Sequence, residues 1–206
     1  MTDRIRKIIK ETNHLYLNMY KMWVSYKNGK EGSYYLASRT PETDDLEVVT
    51  GKQRVNGVNI FSVYGEKKDR VVLVKQFRYT IGTYIYEFPA GLVEEGEDYH
   101  DTAVRELREE TGLCLHPVKA DPVFERGYYT TVGMTDENCA TVYGYADGEI
   151  TEEFLEGSED IETVLADRDE ILRILREERV SLSCAYMLMH FLSAEKPFDF
   201  LQGAKD

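Results

Sequence analysis

Residues 91–113 read GLVEEGEDYHDTAVRELREETGL, a loop, a helix and a stop. Gly91 follows Pro89-Ala90, a turn signal in which glycine adopts angles that other residues avoid. Asp98 is suited to the N-cap, and Asp101 adds negative charge to the first helical turn. Ala103 and Leu107 lie four apart and share a face that can meet a core. Gly112 after the last turn is a C-cap signal. With Glu106 set at zero, Glu110 falls near ~40° and Glu109 near ~−60°, so the three carboxylates occupy an arc of roughly 100°. Like charges this close are costly unless something positive sits among them. Arg105 answers one, and a hard divalent cation such as Mg²⁺ takes carboxylate oxygens. A solvated acidic face is the ordinary reading of a Glu-rich helix, and the spacing argues against it here.

The composition limits what surrounds this segment. A chain of 206 residues suits one domain, or a core with a small extra layer. The apolar fraction of 42% supports a real core, and a net charge of −13 argues against nucleic-acid binding through a basic surface. Small anionic substrates stay open, because bound metal ions reverse the sign of a site locally. Cys114, Cys139 and Cys184 match no metal-binding spacing and cannot all pair, which suits a reducing cytoplasm. The N-terminus is too polar for a signal peptide, and no stretch approaches the ~20 apolar residues of a membrane helix.

Taken in order, residues 1–13 suggest a short amphipathic helix carrying Ile5, Ile8 and Ile9. Residues 15–26 read as a strand whose alternation slips in the middle. NGKEG at 28–32 is a turn, and SYYLAS at 33–38 returns as the second arm of an antiparallel hairpin rich in tyrosine and holding Trp23. Packing is the ordinary role of such aromatics. Residues 46–50 suggest another short strand. Residues 57–64 and 70–76 are strands flanking GEKKD, the second apolar enough to be buried on both faces. YIYEF at 84–88 leads into the opening loop. After the helix, 115–129 suggests a strand, 130–138 a loop and 139–146 a strand. The acidic run at 147–160 reads as a mobile loop, 161–165 as a short strand. Asp167 with Glu170 resembles a capping box for a helix to Glu178, a second helix spans about 181–194, and the tail is irregular. Strands interleaved with one central and two terminal helices predict an α/β sandwich with a mixed sheet. The expected division is a strand-rich segment, 1–50, and a main domain, 51–206.

Residues 91–113 resemble the Nudix box: glycine, glutamate after five residues, then Arg-Glu-aliphatic-x-Glu-Glu-x-Gly-aliphatic after seven more. Every constrained position is met. VLVKQFRYTIGTYIYEFPAG at 72–91, GSEDIE at 157–162 and KPF at 196–198 extend the resemblance to ADP-ribose pyrophosphatases of the nucleotide-sugar hydrolase group, over roughly residues 54–200. The resemblance implies a mixed sheet between helices, and cleavage of nucleoside diphosphate compounds with Mg²⁺, or Mn²⁺. It implies that the Ala90 carbonyl, Glu106 and Glu110 hold the main ion, and Glu109 a second. Glu97 and Arg105 brace the box, and Arg105 and Glu109 count among the catalytic group. Arg78 would contact the diphosphate, and Glu87 would face the same site. Glu159 matches the glutamate that activates or positions water, with Glu156 the near alternative.

The N-terminal hairpin occupies the place where these enzymes carry strands exchanged across a homodimer, so Trp23 or Tyr35 would stack on the adenine. In TTVGMTDE at 130–137, Val132 stands where ADP-ribose hydrolases usually carry proline. That loop borders the sugar pocket in the family, and Met134 joins the substrate-binding candidates. The chemistry is coherent: negative diphosphate oxygens repel a nucleophile until cations neutralise them, and a loop carboxylate then takes the proton. Competing readings are hydrolysis of a dinucleoside polyphosphate, a reduced dinucleotide or another sugar nucleotide, with Tyr128 or Tyr129 stacking a base, and a non-catalytic nucleotide sensor.

Overall fold

A computed structural model describes residues 3–202. The chain divides into two compact units, residues 1–56 with 127–139 and residues 57–126 with 140–206.

In the first unit, β1 (Ile5–Lys10), β2 (Asn18–Ser25) and β3 (Glu31–Ser38) form an antiparallel sheet in the order β1-β2-β3. The hairpin expected from the sequence is thus β2 and β3, with a third strand added. Residues 1–13 do not form a helix; those before residue 3 lie outside the described residues. Ile5, Ile8 and Ile9 are β-branched, and β1 pairs with β2 along its length, so pairing overrides an equivocal periodicity. The apparent slip in residues 15–26 also resolves. Asn18, Tyr20 and Met22 point inward, and Met19 and Trp23 point outward. Tyr20, Met22, Leu36 and Leu46 make a small core against which Ile5 and Ile8 pack. Residues 46–50 are not a strand: α1 (Glu47–Thr50) is a single helical turn closed by Gly51. That glycine is the same stop signal as Gly112.

Segment 127–139 joins this unit through β3. Ala37 N–H donates to the Met134 carbonyl at 2.9 Å, Tyr34 Oη to the Gly133 carbonyl at 2.6 Å and Ser38 Oγ to Asp136 Oδ2 at 2.9 Å. Within it, β9 (Tyr128–Tyr129) pairs with Asn138 and Cys139.

The second unit is built on a mixed sheet. Its strands are β4 (Gly57–Tyr64), β5 (Arg70–Arg78), β6 (Thr83–Glu87), β7 (Ala90–Leu92), β8 (Cys114–Pro117), β10 (Asn138–Asp147) and β11 (Ile161–Ala166). The order is β11-β5-β4-β10-β8, with β6 beside β5 and β7 beside β4. Successive side chains of a strand face opposite ways, so β4 and β5 feed two cores. Val58, Ile60 and Val72 pack with Ala103 and Leu107 of α2 (Tyr99–Thr111) on one face. Phe61, Val63, Val71 and Leu73 pack on the other with residues of α4 (Arg168–Glu177) and α5 (Leu182–Ser193). This is the sandwich expected from the sequence, and the run Val71–Val74 is apolar because β5 is covered on both faces.

Residues 115–129 break up rather than forming one strand. β8 ends at Pro117, and Asp121 caps the single turn α3 (Pro122–Glu125), accepting from Val123 N–H at 2.9 Å. Proline at a first helical position after aspartate was the overlooked signal. Within the tail, Asp199–Gln202 form a 3₁₀ turn. Among the described residues no helix is long and apolar enough to cross a membrane.

The caps of α2 fall where the sequence puts them. Asp98 accepts from His100 N–H at 2.9 Å, and Gly112 closes the helix with φ 77°. A Cβ on Gly112 would lie 2.8 Å from the Thr151 nitrogen. Gly112→Ala should therefore lower the unfolding free energy by about 1–3 kcal/mol for the left-handed backbone alone, with crowding adding to it. Urea unfolding measures this, and an unchanged midpoint would contradict the geometry.

Candidate active site

α2 presents its carboxylates beside β7. Arg105 lies at their centre. Its Nε and Nη2 donate to Glu97 Oε1 and Oε2, both at 3.1 Å. Its Nη1 donates to Glu106 Oε1 at 2.8 Å and to Glu109 Oε2 at 2.9 Å. Paired this way, Glu97 is held down at about 2, mainly by the Arg105 hydrogen bonds, and the guanidinium is raised in turn. The Glu97 carboxylate also closes its own turn by accepting from Glu94 N–H at 3.2 Å.

Glu110 is held differently. It is only 5% exposed, and its Oε2 accepts from Ala90 N–H at 3.1 Å. Burial pushes its carboxyl well above the usual range; the Ala90 bond and Arg78 oppose this, while the charges of Glu106 and Glu159 add to it. Burial raises Glu106 too, against the pull of Arg105. Arg78, at the end of β5, pairs with Glu87 of β6 at 2.6 Å. The sequence therefore places Ala90, Glu106, Glu109, Glu110, Arg105, Arg78 and Glu87 in one region of the second unit.

The acidic loop closes the group. Thr151 N–H donates to the Thr111 carbonyl at 3.1 Å, and the Arg108 guanidinium lies 4.9 Å from the Phe154 ring centre. Residues 156–159 form a turn in which Glu159 N–H donates to the Glu156 carbonyl at 3.0 Å and Glu159 Oε2 accepts from Glu156 N–H at 2.9 Å. Glu159 is half-buried and its charge reaches Glu106 and Glu110, while Glu156 is exposed. A cleft of about 420 Å³ beside the loop is lined by Lys75, Tyr84, Leu155, Glu159 and Asp160 among others. None of Ala90, Glu106, Glu109 and Glu110 lines it.

The remaining sequence candidates lie in the first unit. Trp23 and Tyr35 share the outer face of its sheet, where Lys21 Nζ sits 5.2 Å from the indole centre and 5.7 Å from the tyrosine ring. Met134 is two-thirds exposed, and its carbonyl holds β3.

The donor set suits a hard divalent cation. All the groups are carboxylate or backbone oxygens, two of the carboxylates are raised by burial, and Arg105 and Arg78 answer their charge only in part. The second oxygens Glu106 Oε2, Glu109 Oε1 and Glu110 Oε1 are not used by the guanidinium or the Ala90 amide. Among the described residues no three acidic, histidine or cysteine side chains close into a finished cage.

The sequence did not reveal how closely β7 approaches α2. A Cβ on Gly91 would overlap the Glu106 carboxyl group, far inside van der Waals distance, so only glycine leaves that side chain where it lies beside Arg105. Gly91→Ala should lower turnover at least about 10-fold by displacing Glu106, since misplacements of this size cost up to ~100-fold. Thermal unfolding should change little, because the carboxylate can swing outward. Native kinetics in this variant would show that the position of Glu106 is immaterial.

A NUDIX domain model matches residues 53–183. ADP-ribose pyrophosphatase of Saccharomyces cerevisiae is 30% identical over 135 residues, 65% of this chain and 54% of the relative. ADP-sugar pyrophosphatase of Mus musculus is 39% identical over 108 residues, 48% of this chain and 49% of the relative. The chain thus spans about half the length of these curated relatives. A solved structure described as an ADP compounds hydrolase superposes with a TM-score of 0.65 over 92% of this chain and 91% of its own, at 15% identity, a likeness of fold. With the box residues of α2 gathered around Arg105 and the domain model covering most of the chain, this protein belongs to the NUDIX family.

Proposed function

We propose that the chain is a Mg²⁺-dependent pyrophosphohydrolase that cleaves ADP-ribose, or a similar nucleoside diphosphate sugar, to a nucleoside monophosphate and a sugar phosphate; Mn²⁺ would serve in place of Mg²⁺. The observation that carries this reading is the convergence of the buried Glu110 and the partly buried Glu106 with the loop carboxylate of Glu159. The printed activities of the yeast and mouse relatives support the substrate class.

Glu106, Glu110 and the Ala90 carbonyl would hold the main ion, with Glu109 on a second. The bound ions would neutralise the diphosphate oxygens and acidify the attacking water. Arg78, fixed by Glu87, offers its remaining donors to the diphosphate. Arg105 keeps Glu106 and Glu109 in place, and Glu97 keeps Arg105 in place. Glu159 takes the proton from water. Its half-buried position and its influence on Glu106 and Glu110 favour it over Glu156.

Glu110→Gln removes a buried charge that folding disfavours. It should raise the thermal midpoint without divalent cation, abolish the shift that Mg²⁺ produces, and lower turnover by more than the ~10–100-fold typical of an outer-shell partner. Glu159→Gln should lower kcat about 10²- to 10⁴-fold, keep KM nearly constant and retain the Mg²⁺-induced shift. Phosphatase-coupled phosphate release over nucleoside diphosphate sugars, dinucleoside polyphosphates and reduced dinucleotides reads both. Native turnover in Glu110→Gln would overturn the metal reading, and activity confined to a dinucleotide class would move the substrate.

The proposal extends to assembly. Residues 1–50 would form a segment exchanged in a homodimer and residues 51–206 the hydrolase domain, with Trp23 or Tyr35 reaching the partner's adenine and Met134 bordering the sugar. Met19, Trp23 and Tyr35 on exposed faces of β2 and β3 support this. The free thiols Cys114, Cys139 and Cys184 suit a cytoplasmic location. Light scattering should give twice the chain mass. Trp23→Ala should raise KM for ADP-ribose about 10-fold with kcat nearly constant, as loss of one base stack predicts. A monodisperse monomer would contradict the exchange.

A further inference from the structure

Next to Glu159 stands Asp160, which the proposed chemistry does not use. Its Oδ2 accepts from Tyr84 Oη at 2.7 Å, and its carbonyl accepts from Phe77 N–H at 3.0 Å. Tyr84 comes from β6 and Phe77 from β5, where the two are paired; Ile161 of β11 pairs with Gln76. Tyr84, Phe77 and Asp160 therefore form one row across the sheet. The Tyr84 hydroxyl reaches over β5 to Asp160, and its ring lies edge-on to Phe77 at 5.4 Å.

This row sits where the acidic loop becomes β11. Successive side chains of an extended chain point to opposite sides. Asp160 turns to Tyr84, which sets Glu159 on the opposite side, and the Glu159 charge adds to the burial that raises Glu106 and Glu110. The other end of the loop is held by Thr151 on α2 and by Phe154 under Arg108. Between these anchors the turn at 156–159 holds Glu159. The tyrosine bond thus fixes the backbone from which the carboxylate hangs.

We propose that Tyr84 and Asp160 are positioning residues: their hydrogen bond on one side of the sheet sets the Glu159 carboxylate on the other. The proposal rests on the reading of Glu159 as the group that takes the proton from water. Neither residue belongs to the box cluster around Arg105, and the effect inferred here passes through Glu159.

The test is steady-state hydrolysis of ADP-ribose with Mg²⁺ by the full chain. Tyr84→Phe removes one exposed hydroxyl and leaves the ring on Phe77, so the thermal midpoint should stay close to that of the parent. kcat should fall about 10-fold with KM within about twofold, the pattern of a slightly misplaced catalytic group. Asp160→Ala should reproduce the loss, and Asp160→Asn, which keeps an oxygen to accept the hydroxyl, should recover most of it. In a Glu159→Gln background, Tyr84→Phe should cost nothing further, because the group it positions is gone. An equal loss in both backgrounds, an effect on KM alone, or unchanged kcat in Tyr84→Phe would overturn the proposal. If Glu159→Gln itself keeps native kcat, the reading of Glu159 fails and this proposal with it. If Glu159→Gln is impaired and Tyr84→Phe is not, only the positioning role fails.

Discussion

The Arg105 guanidinium bonds Glu97, Glu106 and Glu109 at once. Carboxylates gathered on one helix face repel one another, and removal from water makes the repulsion stronger. Glu97 supplies the fork-shaped pair that holds the planar guanidinium in place. The other two carboxylates take what remains of its donors. Loss of this bond would leave Glu106 and Glu109 without a fixed direction, and the loop from Gly91 to Glu97 without its tie to α2.

Glu110 shows what the arrangement costs. Its carboxyl is raised by burial, so its ionised form opposes folding at neutral pH and the opposition is relieved as pH falls through its raised value. A bound cation would relieve it at neutral pH without protonation. Structural ion pairs such as Arg173 with Glu170 and Glu178 carry no such penalty, because they sit at the surface and are complete. The apolar face of α2, through Ala103 and Leu107, offsets the penalty by anchoring the helix on β4 and β5.

The loop before β11 meets a second demand. The Glu159 carboxylate comes close enough to the box for its charge to act on Glu106 and Glu110. Two anchors and one tight turn achieve this with few contacts, so Glu159 is held while its neighbour Glu156 stays in solvent. Position along the chain alone would not have separated the two.

Much of this was legible in the residues. Asp98, Gly112, and Asp167 with Glu170 mark helix ends through local hydrogen bonds, which need no tertiary partner, and all lie where the sequence puts them. The doubly buried run of β5 and the spacing of the box glutamates are equally local. The readings of 1–13, 46–50 and 115–129 failed where short segments with mixed signals took their form from a neighbouring strand or an overlooked cap. The capture of residues 127–139 by β3, the close approach of Gly91 to Glu106, and the bond from Tyr84 to Asp160 join residues far apart in sequence. The sequence by itself determined the sandwich, the helix ends and the identity of the acidic cluster, because periodicity and capping act within a few residues. Only the tertiary structure decided which oxygens Arg105 occupies, how deeply Glu110 is buried and which loop glutamate faces the cluster, because sheet register brings those atoms together.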